Sequence, residues 1–99
     1  MITHVVMWTV RHKDGKTREQ VAEELKKTLE SMRGRVPHFE SLEVGLNRAP
    51  SDAACDAVLI TRHRDWAQLN AYRDDPVHRE VAVFVGEHTD SRAVVDFES

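Results

Sequence analysis

Tyr72 and His78 flank the dipeptide Asp75-Pro76, and a phenol beside an imidazole suits proton transfer on a carbonyl compound. The imidazole removes a proton while the phenol O–H donates to the oxygen on which charge develops. The chain around them dictates how they are held. Pro76 has no N–H and fits the first position of a helix, and Asp75 can accept bonds from the free N–H groups of the new first turn. His78 then falls in that turn, where the positive end of the helix dipole opposes a further positive charge and favours the neutral ring near pH 7. The non-catalytic alternative has His78 helping to cap its helix and Tyr72 packing in the core with its hydroxyl on a backbone group.

His4 is the third candidate, as an orienting or second proton-transfer group. It shares a strand face with Val6 and Trp8, and its alternative role is a half-buried structural ring with one satisfied nitrogen. Trp8, Leu25, Leu59 and Val81 are the expected apolar lining of a substrate site. The six histidines contain no pair at i, i+2, i+3 or i, i+4 spacing, so no metal site is expected. The four glycines form no phosphate-cradling loop, so no organic cofactor is expected either. Cys55 has no Cys-x-x-Cys partner and reads as a small packed residue rather than a nucleophile. Arg33, Arg35, Arg62 and Arg64 suggest a local anion site, but Glu40 and Asp65 beside them favour a solvated, partly paired surface.

These side chains need a scaffold, and its elements are legible. Thr3 to Val10 is rich in β-branched and aromatic residues and reads as a strand. Thr17 and Gln20 form a capping-box pattern ahead of Val21, Leu25, Leu29 and Met32 at helical spacing, with Gly34 closing the helix and Pro37 preventing its return. The polar stretch His12-Lys13-Asp14-Gly15 is the turn between these elements. Phe39 to Leu46 alternates as a strand, and Asp56 to His63, with Ala57-Val58-Leu59-Ile60 at its centre, pairs with it antiparallel. Asp65 and Gln68 repeat the capping pattern, and Trp66, Leu69 and Tyr72 share a helix face. A second helix starts at Asp75 and carries Val77, Val81, Phe84 and Val85, and Arg92 to Phe97 is the last strand. The order β-α-β-β-α-β defines an α+β, ferredoxin-like sandwich.

One consequence concerns self-association. The first strand is largely apolar on both faces, Thr3, Val5, Met7 and Thr9 on one and His4, Val6, Trp8 and Val10 on the other, so helices on one side leave a face bare. Each such side chain is worth roughly 1.5 to 3 kcal/mol when buried, a large fraction of a small domain's stability. Pairing two sheets through Val5, Met7, Val58 and Ile60 gives a homodimeric α+β barrel.

The 99 residues are expected to form one domain. A net charge of −3 and a pI near 6.0 give no overall pull toward nucleic acid or an anionic membrane, and neither partner is expected. A lone cysteine makes no internal disulfide, and the start Met1-Ile2-Thr3-His4 has neither a basic leader nor a long apolar run. A cytoplasmic protein is the expectation.

The order of elements, the opening His4-Val5-Val6, the stretch Tyr72-x-x-x-Pro76-x-His78 and the closing Val95-Asp96-Phe97 together resemble the stress-responsive A/B barrel (Dabb) family over nearly the whole chain. The resemblance implies a dimeric barrel of ferredoxin-like subunits, with some members forming larger, very stable particles. One plant branch of the family contains polyketide cyclases, whose histidine and tyrosine promote an aldol-type ring closure. His4, Tyr72 and His78 match pocket positions of that branch. A further histidine on the cyclases' third strand corresponds here to Ala57. The resemblance thus implies a small-molecule pocket for an apolar carbonyl or phenolic compound, with lyase, isomerase or cyclase chemistry. A stress-associated assembly protein without catalysis and a cofactor-free monooxygenase acting on quinols are the alternatives. A binding protein should gather His4, Tyr72 and His78 around one cavity, whereas an assembly protein should pack them solid.

Overall fold

The computed structural model describes every residue except Asp14, so that member of the expected His12 to Gly15 turn lies outside the described residues. Strand β1 (Ile2–Val10) leads to helix α1 (Arg18–Glu30), followed by strands β2 (Ser41–Leu46) and β3 (Ala57–His63). Helices α2 (Trp66–Asp74) and α3 (Pro76–His88) follow, and strand β4 (Thr89–Glu98) closes the chain. The strands form one antiparallel sheet in the order β2-β3-β1-β4. This is the ferredoxin-like α+β fold, with the helices on one face of the sheet.

Local chemistry sets the helix ends. At α1 the Thr17 side chain accepts from the Gln20 N–H while the Gln20 side chain accepts from the Thr17 N–H, a reciprocal capping box. Asp65 caps α2 by accepting from the Gln68 N–H. Asp75 caps α3 at 2.8 Å from the Val77 N–H, with Pro76 at its first position. The extended Asp75 backbone (φ −63°, ψ 132°) breaks the second helical region in two, as a residue before proline favours.

Val21, Leu25, Leu29, Leu69 and Tyr72 are buried against Val6, Trp8, Val44 and Leu59 of the sheet. Three expectations need correction. Met32 is fully buried but lies just beyond α1, in the turn that Gly34 completes with a positive φ of 77°. Trp66 does not share the buried face of Leu69 and Tyr72. As the first residue after the Asp65 cap it points outward and is 46 % exposed. Strand β4 begins at Thr89 rather than Arg92, because Thr89 bonds back to the Val85 carbonyl and carries α3 directly into the sheet, with an irregularity opposite Thr9 and Val10.

The other sheet face is uncovered. Val5, Val58 and Ile60 are half-buried there, and Met7, Val95 and Phe97 are exposed. Val95 and Phe97 stand directly opposite Val5 and Thr3 on β1. Among the described residues no helix is long and apolar enough to cross a membrane.

Candidate active site

His4, Trp8, Leu59, Tyr72, His78 and Val81 line one cavity of about 150 Å³ between the sheet and the helices. The exception among the expected lining residues is Leu25, which is fully buried in the core and does not reach the cavity wall. Helical periodicity aimed it correctly at the sheet but could not say which part of the sheet it meets. Met32 and Arg92 also contribute to the wall.

Tyr72 is the hub. Its ring centre lies 4.4 Å from that of His78, 5.0 Å from His63 and 6.0 Å from His4. It is completely buried, and burial pushes its phenol well above the ordinary tyrosine value, keeping it a donor at neutral pH. Its hydroxyl faces only the Met32 sulfur, at 4.0 Å. The backbone acceptor expected of a purely structural tyrosine is absent among the described residues.

His78 starts α3 as expected, half-buried, with Nδ1 3.2 Å from the Arg73 carbonyl. A carbonyl only accepts, so that nitrogen carries the proton and Nε2 keeps its lone pair. Burial is the largest cause lowering the His78 pKa below 6.5, and the Arg73 carbonyl opposes it.

His4 occupies the middle of a relay that sequence reasoning had not assembled. Asp96 sits directly across from it on β4 and accepts from its Nδ1, and the second Asp96 oxygen takes Arg73 Nη2 at 2.5 Å. This leaves His4 Nε2 with a lone pair. Burial lowers the His4 pKa and outweighs the pull of Asp96, whose charge Arg73 already partly balances. Burial alone would raise the Asp96 carboxyl, but the His4 hydrogen bond and charge, with Arg73 added, hold it below its ordinary value. Two neutral imidazoles and a protonated phenol thus face one space.

His63 is a further site residue, one to which the sequence analysis assigned no role. It is fully buried at the end of β3. Nδ1 donates to the His38 carbonyl at 2.7 Å, and Nε2 accepts from Thr61 Oγ1 at 2.8 Å. With both nitrogens engaged it wedges Tyr72 rather than transferring protons. Its signal was available: Ala57 and Leu59 face the helices, and period two carries Thr61 and His63 to the same side. Ala57 itself is buried opposite Trp8, at the other end of β3.

Elsewhere, Arg64 lies 3.6 Å from Glu40, Arg33 lies 3.5 Å from Glu30, and Arg35 lies 3.7 Å from Glu80. Three of the four basic residues are thus paired with carboxylates at the surface. Cys55 is half-buried, and among the described residues no three His, Cys, Asp or Glu side chains converge to hold a metal.

A helix-covered antiparallel sheet whose buried histidines and tyrosine surround a cavity defines a ferredoxin-like barrel subunit. The model of the stress responsive A/B barrel domain matches residues 2–99, and the chain belongs to that family. Comparison with curated protein sequences gave no match. Among solved structures, a dimeric ferredoxin-like protein from Bacteroides fragilis is similar at 25 % identity with a TM-score of 0.82, covering 99 % of this chain and 95 % of that one. A dimeric ferredoxin-like protein from Thermobifida fusca is similar at 20 % identity with a TM-score of 0.82, over 99 % of this chain and 90 % of that one. A hydroxynitrile lyase from Passiflora edulis is similar at 14 % identity with a TM-score of 0.78, over 97 % of this chain and 90 % of that one.

Proposed function

We propose that this chain binds a small carbonyl or phenolic compound in the His4–Tyr72–His78 cavity and catalyses a lyase, isomerase or cyclase reaction on it by proton transfer. The observation that carries this reading is the convergence of the three side chains on one cavity, with the Tyr72 hydroxyl free of any oxygen or nitrogen acceptor among the described residues. Rings packed solid would have favoured assembly without catalysis. A structural neighbour that is a hydroxynitrile lyase supports placing lyase chemistry on this scaffold.

In the proposed step the His78 Nε2 lone pair takes a proton from the carbon beside the carbonyl. The C–H electron pair moves into the carbon–carbon bond and the carbonyl pair onto oxygen, where the Tyr72 O–H donates to the enolate. The enolate carbon then attacks a second carbonyl or expels a leaving group, and the proton on His78 returns to the product. His4, held by Asp96, orients the oxygen end or exchanges the second proton. General base catalysis of this kind contributes about 10² to 10⁴-fold.

The reading includes a homodimer joined through the open sheet faces, supported by the dimeric neighbours and by exposed Met7, Val95 and Phe97. The functional test is a thermal-shift screen of wild type and His78→Ala against β-keto, phenolic and quinol compounds, followed by turnover assays on the hits. Stabilisation that disappears in His78→Ala, with Tyr72→Phe lowering turnover about 10²-fold or more while the fold is kept, is the expected result. Equal loss of folding in both variants would assign the junction to structure instead.

A further inference from the structure

Resting on that reading of the reaction end, the far end of the same cavity carries a second, unassigned recognition element. Arg92 lines the cavity and stands directly across from Trp8 on the neighbouring strand. Among the described residues it has neither a salt bridge nor a side-chain hydrogen bond, unlike Arg73, whose charge Asp96 meets at 2.5 Å. Among the described residues no Asp or Glu lines the cavity, and the two histidines in its wall are neutral. The wall therefore holds one positive charge, on an exposed side chain, with no protein counter-charge among the described residues.

Trp8 adds an independent observation. It is 4 % exposed, it forms part of the cavity wall, and its indole N–H has no hydrogen-bond partner among the described residues. A buried donor left unmatched carries an uncompensated desolvation penalty, and such groups call for an acceptor. We propose that Arg92 and Trp8 form a carboxylate subsite, so that the substrate is an organic acid whose reacting carbonyl or phenol lies at the His4–Tyr72–His78 end. The planar guanidinium fork matches two carboxylate oxygens, and the indole N–H donates to a remaining lone pair. His4 and Trp8 lie on one face of β1, and four strand steps separate their backbones by about 13 Å. That span bounds the distance between the acid group and the reacting oxygen. Anchoring a group remote from the reacting bond supplies binding energy that orients the reacting end.

The test compares para-hydroxyphenylpropanoate with its uncharged amide, by calorimetry and by Trp8 fluorescence in a Trp66→Phe background. Trp66 is exposed and outside the cavity wall, so its replacement isolates the Trp8 signal. The acid is expected to bind wild type about tenfold or more tighter than the amide and to change Trp8 emission. Arg92→Gln should abolish the preference, and Arg92→Lys should restore part of it. Equal binding of acid and amide to wild type, failure of the acid to bind, or a preference that survives Arg92→Gln would each overturn the subsite. An Arg92-dependent preference with turnover of hit compounds unaffected by Tyr72→Phe and His78→Ala would support the subsite and sink the reaction reading. His78-dependent turnover without any acid preference would do the reverse.

Discussion

The two faces of the sheet are built from the same four strands but solve opposite problems. The helix-covered face buries His4, Thr61 and His63, and each has a named partner: Asp96 for His4, and the Thr61 hydroxyl with the His38 carbonyl for His63. The open face holds Val5, Met7, Val58, Ile60, Val95 and Phe97, which make no directional contacts and leave apolar surface in water. Directional bonds fix side-chain positions at the cost of desolvation, which a reactive site needs. Non-directional apolar surface gains from any well-fitting cover, which an association face needs.

The largest effect should come from charging the open face. Val95→Asp places a carboxylate where the proposed dimer excludes water, and an unpaired buried charge is strongly destabilising. Light scattering should show the dimer weakened by about 10²-fold or more, while circular dichroism of the remaining fold is unchanged. A dimer of undiminished affinity would remove the open face from the interface.

His63→Ala tests the other face. It strands the Thr61 hydroxyl and the His38 carbonyl and opens a void beneath Tyr72, costing about 2 to 4 kcal/mol in urea unfolding. Dimer affinity, measured under native conditions, should not change. If the protein lost dimer affinity and stability together, the two faces would not be independent.

The fold was legible because its signals are local. The capping box at Thr17, the Asp65 cap and the Asp75-Pro76 break each depend on residues within a few positions of one another. The Tyr72 to His78 junction was legible for the same reason. The partners that make it a site were not: Asp96 reaches His4 across 92 residues of chain, and Arg73 reaches Asp96 across 23. Such pairs depend on strand register, which apolar alternation places on a face but does not align residue against residue. Leu25 and His63 show both sides of that limit. Periodicity sends each inward, yet only the packed structure puts His63 against Tyr72 and leaves Leu25 away from the cavity.

The smallest effect is a pH dependence that belongs to one face alone. His4, His63 and His78 all have pKa values lowered below 6.5, chiefly by burial. In the unfolded chain each titrates near 6.5, so just below that pH the unfolded state binds more protons and stability falls as pH falls. The decline is bounded by about 1.4 kcal/mol per pH unit for each proton taken up only on unfolding, and it flattens once pH passes the folded values. Asp96, lowered below 3.8, acts with the same sign in a lower window: its contribution is present above its unfolded pKa and is lost as pH falls through its folded value. Urea midpoints between pH 7 and pH 5 should therefore decline through the histidine window first, and His63→Ala should decline less steeply than wild type. The open face presents no histidine, so Val95→Asp should retain the wild-type histidine-window slope when both are compared as monomers. A slope unchanged by His63→Ala would remove His63 from the groups that set the pH sensitivity and leave His4 and His78 to carry it.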